Sequence, residues 1–88
     1  MDLTTTSWQE RYRASGIYTL RCRLMDKPGI LGVFMSEIGR NGKNIGEVRI
    51  VGVDAESVIR DVTVYCTGKD DVATLVKSLN SLEGVEVL

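Results

Sequence analysis

The run Asp26-Lys27-Pro28-Gly29-Ile30-Leu31 is where this sequence comes nearest to specifying chemistry. Pro28, the only proline in the chain, has no amide hydrogen, favours an extended residue before it and suits the start of a helix. Gly29 removes the side chain where the backbone must turn and lets another molecule come close to the main chain. The amides of Gly29, Ile30 and Leu31 then fall in a helix's first turn, where donors lack an intrahelical partner and carry the positive end of the dipole. That chemistry is anion binding. The dipole contributes on the order of 0.3–1 kcal/mol, enough to orient a small carboxylate but not to hold it without further contacts. The competing reading of the same residues is structural, with Asp26 capping the helix and nothing bound.

Catalysis has less to work with. There is no histidine, and Cys22 and Cys66 lack companions for a metal site or a nucleophilic dyad. No catalytic residue, metal or cofactor is expected. Glu56, Asp61, Asp70, Asp71 and Glu86 fall on turns, helix starts or outward strand positions, where solvated charge is the ordinary role. Gly68-Lys69-Asp70-Asp71 lacks the glycine spacing and the Lys-Ser/Thr pair of a phosphate loop, and reads as the acidic start of a helix.

The elements around the corner follow from periodicity. Residues 17–25 alternate, with Tyr18, Leu20, Cys22 and Leu24 on one side and Thr19, Arg21 and Arg23 on the other, which predicts a half-buried strand. Ile30, Leu31, Phe34 and Ile38 recur at helical spacing until Gly39, Asn41 and Gly42 stop the helix. Residues 45–53 and 58–66 are β-branched runs joined by the turn Asp54-Ala55-Glu56-Ser57, as in an antiparallel hairpin. In the second run Arg60 falls on the apolar side and is expected to snorkel outward. Val72, Leu75, Val76, Leu79 and Leu82 form a second helical stripe, and Gly84 ends it before a closing strand in "VEVL".

The order βαββαβ, with right-handed crossovers and both helices on one apolar face, predicts an α+β ferredoxin-like sandwich with strand order 4-1-3-2. One sheet face stays free of helices and carries Thr19, Arg21, Arg23, Asp61, Thr63 and Tyr65. The second strand lies at an edge with Val48, Ile50, Val51 and Val53, so self-association through that edge is expected.

Composition narrows the function classes. Eighty-eight residues, 43% of them apolar, suit one small domain with one core. Eleven basic and twelve acidic residues give a net charge of −1 with no basic block, which argues against nucleic acid as a partner. No apolar run is long enough to span a membrane, and "MDLTTTSWQERYRA" lacks the order of a signal peptide, so a cytoplasmic location is expected. Two inward-phased cysteines predict buried free thiols, with a disulfide left open if neighbouring strands bring them together. Residues 1–15, with a capping-box pattern from Ser7 to Glu10, are a flexible leader or a short helix, and residues 16–88 form the domain. A closing "GVEVL" without a tail suggests a domain of a longer chain.

"DKPGILG", followed by "IGRNGKNIGEV" and closed by "SLEGVEVL", resembles an ACT domain, a small ligand-sensing module. The likeness runs from about Tyr18 to Leu88. It implies a non-catalytic regulatory domain that pairs through edge strands and binds an amino acid or similar carboxylate effector where the first loop meets the partner subunit. The residues it marks for ligand binding are Asp26, Lys27, Pro28, Gly29, Ile30 and Leu31 in the loop, with Asn44 and Ile45 opening the facing strand. "GKNIGEVRIVGV" and "VIRDVTVYC" are also similar to the N-terminal ACT segment of bacterial NAD-dependent malic enzymes, which suggests such a parent. A stringent-response GTP pyrophosphokinase or an amino-acid biosynthetic enzyme is the alternative parent, and a pairing scaffold without ligand the alternative role.

Overall fold

The structure, a computed structural model, describes residues 16–88. The leader and its capping-box pattern lie outside the described residues. Strand β1 (Gly16–Met25) is followed by helix α1 (Ile30–Arg40), strands β2 (Ile45–Val53) and β3 (Ser57–Cys66), helix α2 (Lys69–Asn80) and strand β4 (Val85–Val87). The sheet order is β2-β3-β1-β4 with every pairing antiparallel, which is the expected 4-1-3-2 order read from the other edge.

Alternation explains the two faces. Leu20, Cys22 and Leu24 of β1 pair beside Val62, Arg60 and Val58 of β3, so these residues share the helix-covered face. Against them pack Ile30, Phe34 and Ile38, one helical turn apart along α1, and Leu75 and Leu79 of α2. The opposite face pairs Thr19 with Thr63 and Arg21 with Asp61. There Arg21 binds Asp61 through two hydrogen bonds of 2.8 and 3.0 Å, and Arg23 meets Glu86 at 2.9 Å. The Arg21 guanidinium holds the Asp61 carboxyl below its ordinary pKa.

Two polar clasps fix the helices and the loop between them. Ser78 Oγ donates to Glu37 Oε2, while Asn41 Nδ2 donates to Ser78 Oγ at 3.0 Å and to the Glu37 carbonyl at 2.8 Å, tying α1 to α2. Lys43 Nζ reaches Asp71 Oδ2 at 2.6 Å, and the Thr67 amide donates to the same oxygen at 2.8 Å. The Lys43 ammonium and then the Thr67 amide lower the Asp71 pKa.

Several details depart from the sequence reading for identifiable reasons. β3 opens at Ser57 rather than Val58, because the buried Ser57 hydroxyl is satisfied by Asp54 Oδ1 at 3.0 Å and the strand can extend over a polar residue. α2 opens at Lys69, before the first residue of its apolar stripe, and ends at Asn80, leaving Leu82 on the following turn. The register of β2 against β3 shifts twice, between Ile45 and Val48 and between Ile50 and Gly52. Cys22 and Cys66 are free and buried; Cys66 pairs with Gly16 and Cys22 with Arg60, so six strand positions separate them and no disulfide can form. Burial pushes the Cys22 thiol up to about 11.

Phe34 is wholly buried at the centre of the apolar cluster. Phe34→Ala is expected to cost about 3–5 kcal/mol, measured as a lower midpoint in urea unfolding, whereas Val33→Ala on the exposed flank changes stability by less than about 1 kcal/mol.

Candidate functional site

The corner between β1 and α1 is pinned on both sides by backbone. The Met25 amide donates to the Gly84 carbonyl and the Asp26 amide to the Glu56 carbonyl, both at 2.8 Å. Gly84 itself has φ 82°, and a β-carbon there would lie 3.2 Å from Met25 Cβ and 3.3 Å from Ile30 Cδ1. The Glu56 carbonyl is fixed in turn by Asp54, whose Oδ1 accepts the Glu56 amide at 3.0 Å and the Ser57 amide at 2.9 Å. These bonds, first that from Glu56, hold the Asp54 carboxyl below its ordinary pKa.

Gly29 occupies the cap position of α1 with φ 86° and ψ −11°, and no side chain caps the helix. Asp26 therefore does not cap α1, contrary to the structural reading of the sequence. A left-handed cap lets the chain turn from strand into helix within four residues, at a conformation that glycine adopts without strain. The Ile30 amide donates to the Lys27 carbonyl at 3.3 Å and the Val33 amide to the Gly29 carbonyl at 3.1 Å. The amides of Gly29, Leu31 and Gly32 have no partner among the described residues. Ile30 thus drops out of the expected donor set because its amide closes the turn and its side chain enters the core, and Gly32 joins it. The sequence signal for Gly32 was its place in the first helical turn.

Asp26, Lys27, Pro28 and Gly29 are exposed and Leu31 is half-buried. Lys27 Nζ stands 3.8 Å from Glu83, an exposed pair of small energetic weight. Asn44 and Ile45 are elsewhere in the same chain. Ile45 pairs with Val64 and the Asn44 carbonyl accepts the Tyr65 amide at 3.2 Å, whereas the corner lies beside Ser57 at the other end of β3. At about 3.3 Å per residue the two groups are separated by much of the strand's length, roughly 20–25 Å.

Two depressions of about 420 Å³ flank the corner. The one on the open sheet face is lined by Asp54, Glu56 and Glu86 against a single cation, Arg23, and repels anions. The other runs along α1 past Gly29, Gly32, Val33 and Ser36, and there Glu37 is neutralised by Arg40 at 3.5 Å. The helix-side depression therefore carries less net negative charge than the one on the open sheet face.

No family model and no curated protein matches the sequence. Solved structures do. The crystal structure of the ACT domain from GTP pyrophosphokinase of Chlorobium tepidum is similar with a TM-score of 0.66, at 21% identity, over 84% of this chain and 99% of that one. This chain has the fold of an ACT domain. The solution NMR structure of the same Chlorobium tepidum ACT domain agrees, with a TM-score of 0.66 at 20% identity over 85% of this chain and 88% of that one. In this ACT fold the four-stranded antiparallel sheet presents β2 as a free edge. No helix among the described residues is long and apolar enough to cross a membrane.

Two glycines of the corner predict opposite outcomes. A β-carbon at either Gly29 or Gly32 would meet nothing within 4 Å, but only Gly29 has positive φ. Gly29→Ala is expected to destabilise by about 1–2 kcal/mol and Gly32→Ala to stabilise by up to about 1 kcal/mol, read from urea midpoints. Asp54 adds a pH dependence: with its native pKa lowered, its contribution is complete above about pH 4 and lost as pH falls through the native value. Asp54→Asn should flatten the acid limb of the stability profile and speed hydrogen exchange at the Asp26 amide.

Proposed function

We propose that this chain is a non-catalytic regulatory module of a cytoplasmic enzyme, binding an amino acid or similar small carboxylate at the β1–α1 corner and acting as a homodimer. The observation that supports it is the uncapped first turn of α1, with the amides of Gly29, Leu31 and Gly32 unpartnered among the described residues beside an exposed Asp26-Lys27-Pro28 loop. The ligand's carboxylate rests on those amides, and Lys27 contributes a neighbouring positive charge.

Pairing supplies the remaining contacts. β2 is an edge strand whose Ile50, Val51 and Val53 are 54%, 41% and 70% exposed, which leaves both backbone groups and apolar surface to be covered. A two-fold axis joining two β2 edges makes them antiparallel. Because β2 starts at the end of the sheet remote from the corner, that symmetry carries Asn44 and Ile45 of the partner subunit towards the first subunit's corner end. The separation of these residues within one chain then becomes their convergence in the pair. Ligand binding alters the attached enzyme only insofar as it favours one arrangement of the pair over another.

The Chlorobium tepidum neighbours come from a GTP pyrophosphokinase, which favours that parent over a malic enzyme or an amino-acid biosynthetic enzyme. The test is a titration of amino acids and small carboxylates followed by amide NMR shifts. Saturable shifts at Gly29, Leu31, Gly32 and Asn44 with at least one compound are expected. Val51→Lys should give monomers in ultracentrifugation and weaken that response about tenfold or more. No shift with any compound, in a chain that still dimerises, would leave a pairing scaffold and reject the sensing role.

A further inference from the structure

The edge strand β2 carries an ion pair of its own. Arg49 Nη2 donates to Glu47 Oε1 at 3.3 Å, two residues away along the strand, and both side chains are largely exposed. Arg49 pairs in the sheet with Asp61, the carboxylate bound by Arg21, so the pair lies on the sheet face without helices. An exposed pair of this kind contributes little to the stability of the single chain. Its position on a free edge gives it another use. Charges of one sign along an edge repel a second strand, whereas an acid and a base two residues apart complement an antiparallel copy of themselves.

The backbone of that edge allows few registers. On β3 the odd-numbered residues bond to the β2 side, as the Tyr65 amide on the Asn44 carbonyl and the Asp54 amide on the Ser57 carbonyl show. Arg49, opposite Asp61, therefore turns its backbone groups inward, and Val48 and Ile50 turn theirs to the edge. The strand is regular only between its two register shifts, one between Ile45 and Val48 and the other between Ile50 and Gly52. An antiparallel copy must set outward residues against outward residues, so a two-fold axis in this stretch passes at Val48, Arg49 or Ile50. At Arg49 it sets Arg49 directly against the partner's Arg49, two like charges on adjacent strands. At Ile50 it sets Arg49 against the partner's Val51 and Glu47 against the partner's Val53, and neither charge meets an opposite one. At Val48 it sets Glu47 against the partner's Arg49 and Arg49 against the partner's Glu47, while Val48, packed against the core, meets its own copy on the helix-covered side.

We infer that Glu47 and Arg49 set the register in which two copies of this chain join, through two reciprocal Glu47–Arg49 contacts about a two-fold axis at Val48. This rests on the edge pairing proposed above and adds which residues select the arrangement. Counted from that axis, the partner's Asn44 falls opposite Gly52, two residues before Asp54, whose carboxylate holds Glu56, the anchor of the Asp26 amide. The charged pair thereby decides which partner residues stand level with the corner.

The experiment measures the dimer dissociation constant of the full chain by sedimentation at low salt, for wild type, Glu47→Arg, Arg49→Glu and the double reversal. Each single reversal sets like charges opposite each other twice and should raise the constant about tenfold or more. The double reversal only exchanges the signs and should return the constant to the wild-type value. An equimolar mixture of the two single variants should pair with each other at close to wild-type affinity. In a mixture of labelled and unlabelled chains, an Hα–Hα contact between Glu47 and the partner's Arg49 is expected. A dimer that Glu47→Arg leaves unchanged, a double reversal as weak as the single ones, or an Hα contact between Arg49 and the partner's Arg49 would overturn the register and leave edge pairing standing. A wild-type chain that stays monomeric at every concentration would reject the pairing and the register together.

Discussion

The left-handed backbone at Gly29 is the constraint on which the rest depends. With φ at 86° it turns the chain out of β1 and into α1 without a side-chain cap, so the helix crosses back over the sheet that its own strand has just built. Phe34 and Ile38 reach the core because the helix starts there and in that direction. The same turn leaves the amides of Gly29, Leu31 and Gly32 without a partner among the described residues, so the geometry that organises the core also leaves donors open at the corner.

Around that point the fold is held by polar bonds of different strength. Met25 and Asp26 are anchored by bonds to Gly84 and Glu56, and Glu56 is anchored by Asp54. The helix side is anchored by Glu37, Asn41 and Ser78 and by the Lys43–Asp71 pair. The open sheet face pairs its charges across neighbouring strands and contributes little net energy for doing so, since these pairs are solvated. The pinned corner and the bare apolar surface on the β2 edge are the two features from which the proposed sensing and pairing are argued.

Much of this architecture was legible in the sequence because its signals were strong and local. Alternation in residues 17–25, helical spacing of Ile30, Phe34 and Ile38, and β-branched runs around the Asp54-Ser57 turn each specify one element, and handedness then leaves few ways to arrange them. The ACT fold was expected from the resemblance carried by "DKPGILG", "IGRNGKNIGEV" and "SLEGVEVL", and the similarity to a solved ACT domain agrees with it. What escaped was set by contacts between elements. Ser57 looks like a turn residue until Asp54 satisfies its hydroxyl. Gly46 and Gly52 stand at the two register shifts of β2, a signal that isolated strand glycines carry but that pattern matching on β-branched residues passes over. The Ile30 amide is spent on the Lys27 carbonyl, which no spacing rule reveals, and Arg60 stands at the fourth position of β3, paired in the sheet with Cys22 and Ile50. Asn44 and Ile45, which the ACT resemblance groups with the corner, lie at the opposite end of β3 from it within the chain.

The central claim is that the corner's backbone is pinned while its first-turn amides remain open, and native-state hydrogen exchange of the ligand-free chain tests it most directly. The account predicts slow exchange at Met25 and Asp26, whose hydrogens are bonded, and exchange at Gly29, Leu31 and Gly32 close to that of an unprotected peptide. Protection of those three amides equal to that of Met25 and Asp26 would contradict it, because the donors would then already be satisfied within the protein.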